Sequence, residues 1–178
     1  KQTIILAKEL AKKKFTPKKY RGSEEWLRGW LLLGYSESEA LAVADHMSNR
    51  YGTSDPFKLA KRDGISIRRR DLGNNILGYS MQISRIPLIV LSWSLNDCQA
   101  TAVCAHELGH CKMHRGLDTN FFSRVGAEPM VGDNEYQANC FMFELVFGDQ
   151  EFSPMNYNAV LDQYELPHWM WRYFEVIH

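Results

Sequence analysis

Apolar residues recur along this chain with two different periods, and the changes of period divide it into elements. Ile4, Ile5, Ala7, Leu10 and Ala11 share one helical face, which predicts a short amphipathic helix before Lys12-Lys13-Lys14 and a break at Thr16-Pro17. Trp26, Leu27, Trp30, Leu31 and Leu33 form a second apolar cluster, closed by Gly34. The loop between the two segments is too long and too basic for a DNA-binding helix-turn-helix. Residues 1–35 are therefore expected to be an N-terminal helical extension that caps the main domain. Ser36-x-x-Glu39 has the form of a capping box. The stripe Ala40, Val43, Ala44, Met47 and Tyr51 then predicts a helix that Gly52 ends, with His46 off the stripe and at the surface. Asp55-Pro56 reads as the cap and first residue of a short helix through Asp63, with Gly64 suited to the turn after it.

The period then shortens to two. Ile65-Ser66-Ile67 alternates as a half-buried strand, and Arg68-Arg69-Arg70 continues it as an exposed edge. Leu72-Gly73-Asn74-Asn75 is a turn, Leu77 to Ile83 a second strand, and Pro87 to Leu91 a continuously apolar, more buried third. The helical period returns after Ser94-x-x-Asp97, a second capping box, and predicts a helix from Leu95 to His114 stopped by Arg115-Gly116. Gly132-Asp133 starts another helix, with Glu135, Ala138, Asn139 and Met142 on one stripe. Leu166-Pro167 opens the last one, crowded by Trp169, Met170, Trp171, Tyr173, Phe174 and Ile177 and expected to pack against the N-terminal cap. The fold class is α+β: a small antiparallel three-stranded sheet packed with helices, in a domain spanning residues 36–178.

The helix after the sheet carries His106-Glu107-Leu108-Gly109-His110. Residues four apart on a helix lie one above the other, so His106 and His110 can close on one metal ion. Glu107 cannot comfortably join them, but it can reach a water held there. Two imidazoles on Zn2+, a glutamate as general base and an acidified water make the zincin arrangement. A catalytic zinc takes a third protein ligand and keeps one position open. His114 continues the four-residue ladder and so lies about 12 Å along the axis from His106, too far to share an ion on a straight helix. It is expected behind the ligands or over the helix end, and Asn139 is a second candidate for such support. The acidic choices downstream are Asp118, Glu128, Asp133 and Glu135. Glu135 has the best setting, because small Ala138 on its stripe would let the two helices pack closely. Tyr136, Tyr157, His114 and His168 could each offer a proton to an oxyanion, though each also has a plain structural reading.

Composition bounds the rest. At 178 residues, 45% hydrophobic and 24% charged, the chain is globular and long enough for a core. Net charge is zero, but residues 1–115 carry a balance of +8 and residues 116–178 one of −8. Complementary faces of one body account for this, and no basic run interleaved with aromatics calls for nucleic acid. Cys98, Cys104, Cys111 and Cys140 include no C-x-x-C pair and read as reduced thiols of a cytoplasmic protein. No apolar run is long enough to span a membrane, and the N-terminus lacks the pattern of a signal peptide.

The stretch Ser54-Asp55-Pro56-Phe57-Lys58-Leu59-Ala60, then Asp63 to Ile67, Gly78, Ile89-Val90-Leu91, the H-E-L-G-H-x-x-x-H of His106 to His114, and Glu135-Tyr136-Gln137-Ala138-Asn139-Cys140-Phe141 resembles the ImmA/IrrE family of metallopeptidases. The resemblance covers roughly residues 36–147. It implies Zn2+ bound by His106, His110 and Glu135, with Glu107 as base. It also implies a mobile-element or stress-response role, in which the peptidase cuts a helix-turn-helix repressor and derepresses its genes. Where the family often has Leu-Leu-Met-Pro after the second motif, this chain has Glu144-Leu145-Val146-Phe147-Gly148. Two rival functions use the same residues. A non-cleaving module could sequester a repressor, but it has no need of Glu107. A structural zinc protein needs a fourth ligand, and Cys111 points off the ligand face.

Overall fold

The structure, a computed structural model, describes residues 24–114, 122–123 and 132–178. The chain divides into two compact units, residues 1–38 and 39–178, and the sheet, the motif helix and the site all lie in the second. Helix α1 runs unbroken over Glu24–Tyr51. The sequence predicted an end at Gly34 and a fresh start at Ser36. A glycine inside a helix costs only about 1 kcal/mol relative to alanine, and neither residue ends this one. Gly52, at φ +64°, turns the chain out of α1. Asp55 caps α2 (Pro56–Arg62), accepting from the backbone N–H groups of Phe57 at 2.9 Å and Lys58 at 3.2 Å. The helix predicted at Ile4–Ala11, the break at Thr16-Pro17 and the stop at Arg115-Gly116 lie outside the described residues.

The sheet differs from expectation in one respect. Strands β1 (Ser66–Arg70), β2 (Ile76–Ile83), β3 (Ile86–Ser92) and the two-residue β4 (Phe122–Ser123) lie in the order β1-β3-β2-β4. β2 and β3 form the expected antiparallel hairpin, but β1 runs parallel to β3, in register from Ser66↔Leu88 to Arg70↔Ser92. The sheet is mixed. The physical reason is burial: Ile89, Val90 and Leu91 make β3 the most apolar strand, and the centre is the place where both its edges are paired. β1, with Arg68, Arg69 and Arg70 exposed, takes the outside.

Helix α3 (Asp97–Met113) lies across this sheet and carries the motif. Its cap is Asn96, whose side-chain oxygen accepts from Gln99 N at 2.9 Å; Ser94, the predicted cap, instead pairs with Ser92. Two glycines let neighbours approach. A Cβ on Gly78 would stand 2.6 Å from Val103 Cγ1 and 3.1 Å from the Val90 carbonyl oxygen, so β2 can press against α3 only without one. On the other side, Gly109 faces the Phe141 ring of α4 (Asp133–Phe147), with 3.1–3.3 Å left for a Cβ. At the end of α3, Lys112 reaches Asp63, which also accepts from the Tyr51 hydroxyl at 2.6 Å and so ties α1, α2 and α3 together.

After α4 come a short 3-10 turn (Pro154–Asn156), α5 (Tyr157–Gln163), a 3-10 segment (His168–Tyr173) and α6 (Phe174–Ile177). The aromatic C-terminus was expected to pack on the N-terminal cap. Among the described residues its partner is α4: Tyr173 and Phe174 meet Phe143 at ring-centroid distances of 5.1 Å and 5.0 Å, and Phe174 meets Phe147 at 5.2 Å. Phe143 and Phe147 present a stripe that α3 leaves uncovered, and these rings close it.

Gly78→Ala should therefore destabilise the protein by about 1–3 kcal/mol, the usual cost of overpacking a filled core. Gly132→Ala, with nothing within 4 Å of the added methyl, should cost only the weaker helix cap, about 0.5–1 kcal/mol. Urea denaturation of the two variants against the parent checks both. Equal midpoints for the parent and Gly78→Ala would contradict the close approach of β2 and α3.

Candidate active site

α3 delivers His106 and His110 one above the other, and the first turn of α4 delivers Glu135 opposite them. The two Nε2 atoms lie 3.1 Å apart. Glu135 spans them, with Oε2 3.3 Å from His106 Nε2 and Oε1 3.3 Å from His110 Nε2. Among the described residues this is the one group of three His, Cys, Asp or Glu side chains whose donor atoms converge closely enough to hold a metal ion. The spacing fits one well. A tetrahedral ion with bonds of about 2.0–2.1 Å sets its ligand atoms about 3.3–3.4 Å from one another. The donor set, two imidazoles and a carboxylate, suits a divalent metal of the zinc type. His106 and His110 are 0% and 2% exposed, so solvent does little to relieve two facing nitrogen lone pairs.

The far sides of both rings are also held. His106 Nδ1 meets Asn139 Oδ1 at 2.9 Å, and Asn139 Nδ2 donates to the Tyr173 hydroxyl at 3.0 Å. Asn139 is one helical turn beyond Glu135, so a single face of α4 supplies the carboxylate and this amide. His110 Nδ1 meets His114 Nδ1 at 2.9 Å, and His114 Nε2 meets Gln137 Oε1 at 2.7 Å. With both nitrogens engaged this way, His114 stands behind His110. Burial pushes its pKa below the ordinary imidazole value.

The two glutamates of the site are tuned in opposite directions. Glu107 is fully buried, and burial pushes its carboxyl up to about 7, with His110 and Ser80 pulling the other way. Neither of its carboxylate oxygens makes a hydrogen bond of ordinary geometry, so their lone pairs are left for a molecule entering the site. Burial raises Glu135 too, but its contacts with His106 and His110 more than offset that and hold its carboxyl well below the usual carboxylate range.

Of the other acidic candidates, Asp133 is exposed on the first residue of α4 and outside the cluster, and Asp118 and Glu128 lie outside the described residues. Tyr157 stacks on Phe174 and His168 pairs with Asp162 at 2.7 Å, both in the C-terminal segment. Tyr136, next to Glu135, packs its ring 5.5 Å from that of Tyr173. Neither Cys104 nor Cys111 joins the converging donors. Burial pushes the Cys111 thiol up to about 11, which keeps it protonated and unlike a ligand. Sequence reasoning missed Gln137, Ser80 and Tyr173. None belongs to a spacing pattern, because each reaches the site from a neighbouring element.

Comparison with known proteins adds the family. Residues 60–176 match the IrrE N-terminal-like domain, a peptidase family. The chain is 32% identical over 108 residues to uncharacterized immunity region protein 2 of Bacillus phage phi105, covering 61% of this chain and 68% of that protein. It is also 32% identical over 103 residues to metallopeptidase ImmA of Bacillus subtilis strain 168, covering 56% of this chain and 58% of ImmA.

The burial of Glu107 makes a prediction for the metal-free protein. Folded, Glu107 keeps its proton to about pH 7; an unperturbed carboxyl loses it near 4.5. Between those values the folded state holds more protons than the unfolded, so stability falls as pH rises. Glu107→Gln removes that titration. The variant should gain on the parent between pH 5 and pH 8, by up to about 3 kcal/mol at 1.36 kcal/mol per unit. Urea denaturation across that window measures it. A difference between the two proteins that stays flat with pH would contradict the burial assigned to Glu107.

Proposed function

This chain belongs to the IrrE N-terminal-like family of metallopeptidases, and we propose that it is a zinc-dependent endopeptidase that cuts a helix-turn-helix transcriptional repressor. In this reading residues 36–178 are the peptidase domain, residues 1–35 an extension, and the protein works in the cytoplasm. No helix among the described residues is long and apolar enough to cross a membrane. The observation that carries the reading is the convergence of His106, His110 and Glu135 beside the buried carboxylate of Glu107. The relatives, a metallopeptidase and a phage immunity region protein, support a protein substrate and a mobile-element setting.

His106, His110 and Glu135 would hold the zinc. When bound, it would supply Lewis-acid polarisation of the scissile carbonyl and acidify water. Glu107 takes the proton of the attacking water on a carboxylate oxygen. It then gives that proton to the amide nitrogen as the C–N bond breaks. Burial raises this carboxyl above its ordinary value, which makes it a stronger base for the first transfer. Asn139 and His114 steady the ligand rings from behind. A sequestering module would gain nothing from a carboxylate buried beside the metal ligands. A closed structural site would need a fourth ligand, and the described residues offer none.

Incubating the purified protein with the helix-turn-helix repressor encoded beside its gene should yield discrete fragments in the presence of zinc. Glu107→Gln should retain one equivalent of zinc and lose about 10²–10⁴ in cleavage rate, the usual worth of a general base. Glu135→Ala should fold, lose its zinc and cut nothing. Metal content by atomic absorption, beside fragment analysis, separates these outcomes. Full cleavage by Glu107→Gln would overturn the mechanism, and a bound but intact repressor would favour sequestration.

A further inference from the structure

Gln137 plays no part in the reading above, yet its amide oxygen closes a chain of side chains that ends in the site. An amide oxygen has lone pairs and no proton. Its 2.7 Å contact with His114 Nε2 therefore requires the proton of that nitrogen. A neutral imidazole with its proton on Nε2 offers only a lone pair at Nδ1. The 2.9 Å contact between the Nδ1 atoms of His114 and His110 is then a hydrogen bond only if His110 donates. His110 carries its proton on Nδ1, and its Nε2 lone pair is left facing His106 and Glu135. Each step forces the next.

We propose that Gln137 is a positioning residue: through His114 it locks His110 in the tautomer whose Nε2 can bind a metal ion. The inference rests on the metal-site reading of His106, His110 and Glu135. Asn139 does the same for His106 in one step, by accepting at Nδ1. His110 lies a turn further along α3, and there the amide acts across an intervening ring. The direction of the chain decides the outcome. With a donor in place of the Gln137 oxygen every hydrogen bond would reverse, and His110 would present an N–H to the site and repel a cation. With no polar group there, both directions become available and the ligand is no longer prepared. The third histidine of the motif is on this account a relay between an amide and a ligand.

The test reads the tautomers and zinc affinity, not proteolysis. Long-range 1H–15N spectra of the metal-free parent at pH 8 should show His110 protonated at Nδ1 only and His114 at Nε2 only. Gln137→Leu should show a mixture at His110. Its zinc dissociation constant, measured by competition with a chelating dye, should rise about 10–100-fold, the usual loss for a group that orients a metal ligand. A merely structural role would lower the melting temperature without moving the tautomers. Gln137→Met serves if the leucine variant does not fold, and the parent spectrum is decisive without either. His110 protonated at Nε2 in the parent would overturn the proposal. So would a Gln137→Leu protein with parental tautomers and zinc affinity within about threefold. A parent that binds no zinc would instead overturn the metal-site reading, and the spectra would still answer for Gln137.

Discussion

Two buried imidazole nitrogens and a partly exposed carboxylate are held within 3.1–3.3 Å of one another. Lone pairs facing at that distance repel, so the protein must hold them by packing. The four-residue step of α3 fixes the two histidines relative to each other. The third group comes from another helix, and its distance depends on how closely α4 lies on α3. That approach runs through Gly109 against the Phe141 ring, with Ala138 and Phe141 fully buried on the α4 side. Behind α3 the sheet presses through Gly78 against Val103. The site is thus set by three layers in contact, and a methyl added at either glycine is transmitted to it, because close-packed interiors pass on strain.

The same packing separates two chemically identical groups. Glu107 and Glu135 are both carboxylates beside the same histidines, yet one is raised to about 7 and the other held far below the carboxylate range. Glu107 is fully buried and finds no ordinary hydrogen bond, so the neutral form gains. Glu135 is partly exposed and spans the two rings, and there the ionised form gains. A pair of titratable groups driven apart by their surroundings is how one site obtains both a fixed anion and a mobile proton.

Much of this was legible in the sequence because it is local. The four-residue spacing of the histidines, the Asp55-Pro56 cap and the helix start at Gly132-Asp133 are each decided within a few residues, and the structure agrees with all three. Glu135 stood out among four acidic candidates through its helix stripe, and the structure brings it to the histidines. What escaped is non-local. The parallel pairing of β1 with β3 depends on which strand most needs burial on both edges, not on any turn sequence. Ser94 and Asn96 are both good caps, and only the exit of β3 decides between them. Gln137 shows no periodicity at all; it matters because His114 reaches across to it from another helix.

The central claim is that the ligands are two histidines and the Glu135 carboxylate, and X-ray absorption at the zinc edge of the loaded protein tests it most directly. The account predicts a shell of nitrogen and oxygen alone at about 2.0–2.1 Å, with outer-shell scattering from two imidazoles. A sulfur shell near 2.3 Å would mean a cysteine has entered. Three imidazoles would place His114 on the metal in place of Glu135. Either result would contradict the arrangement argued here.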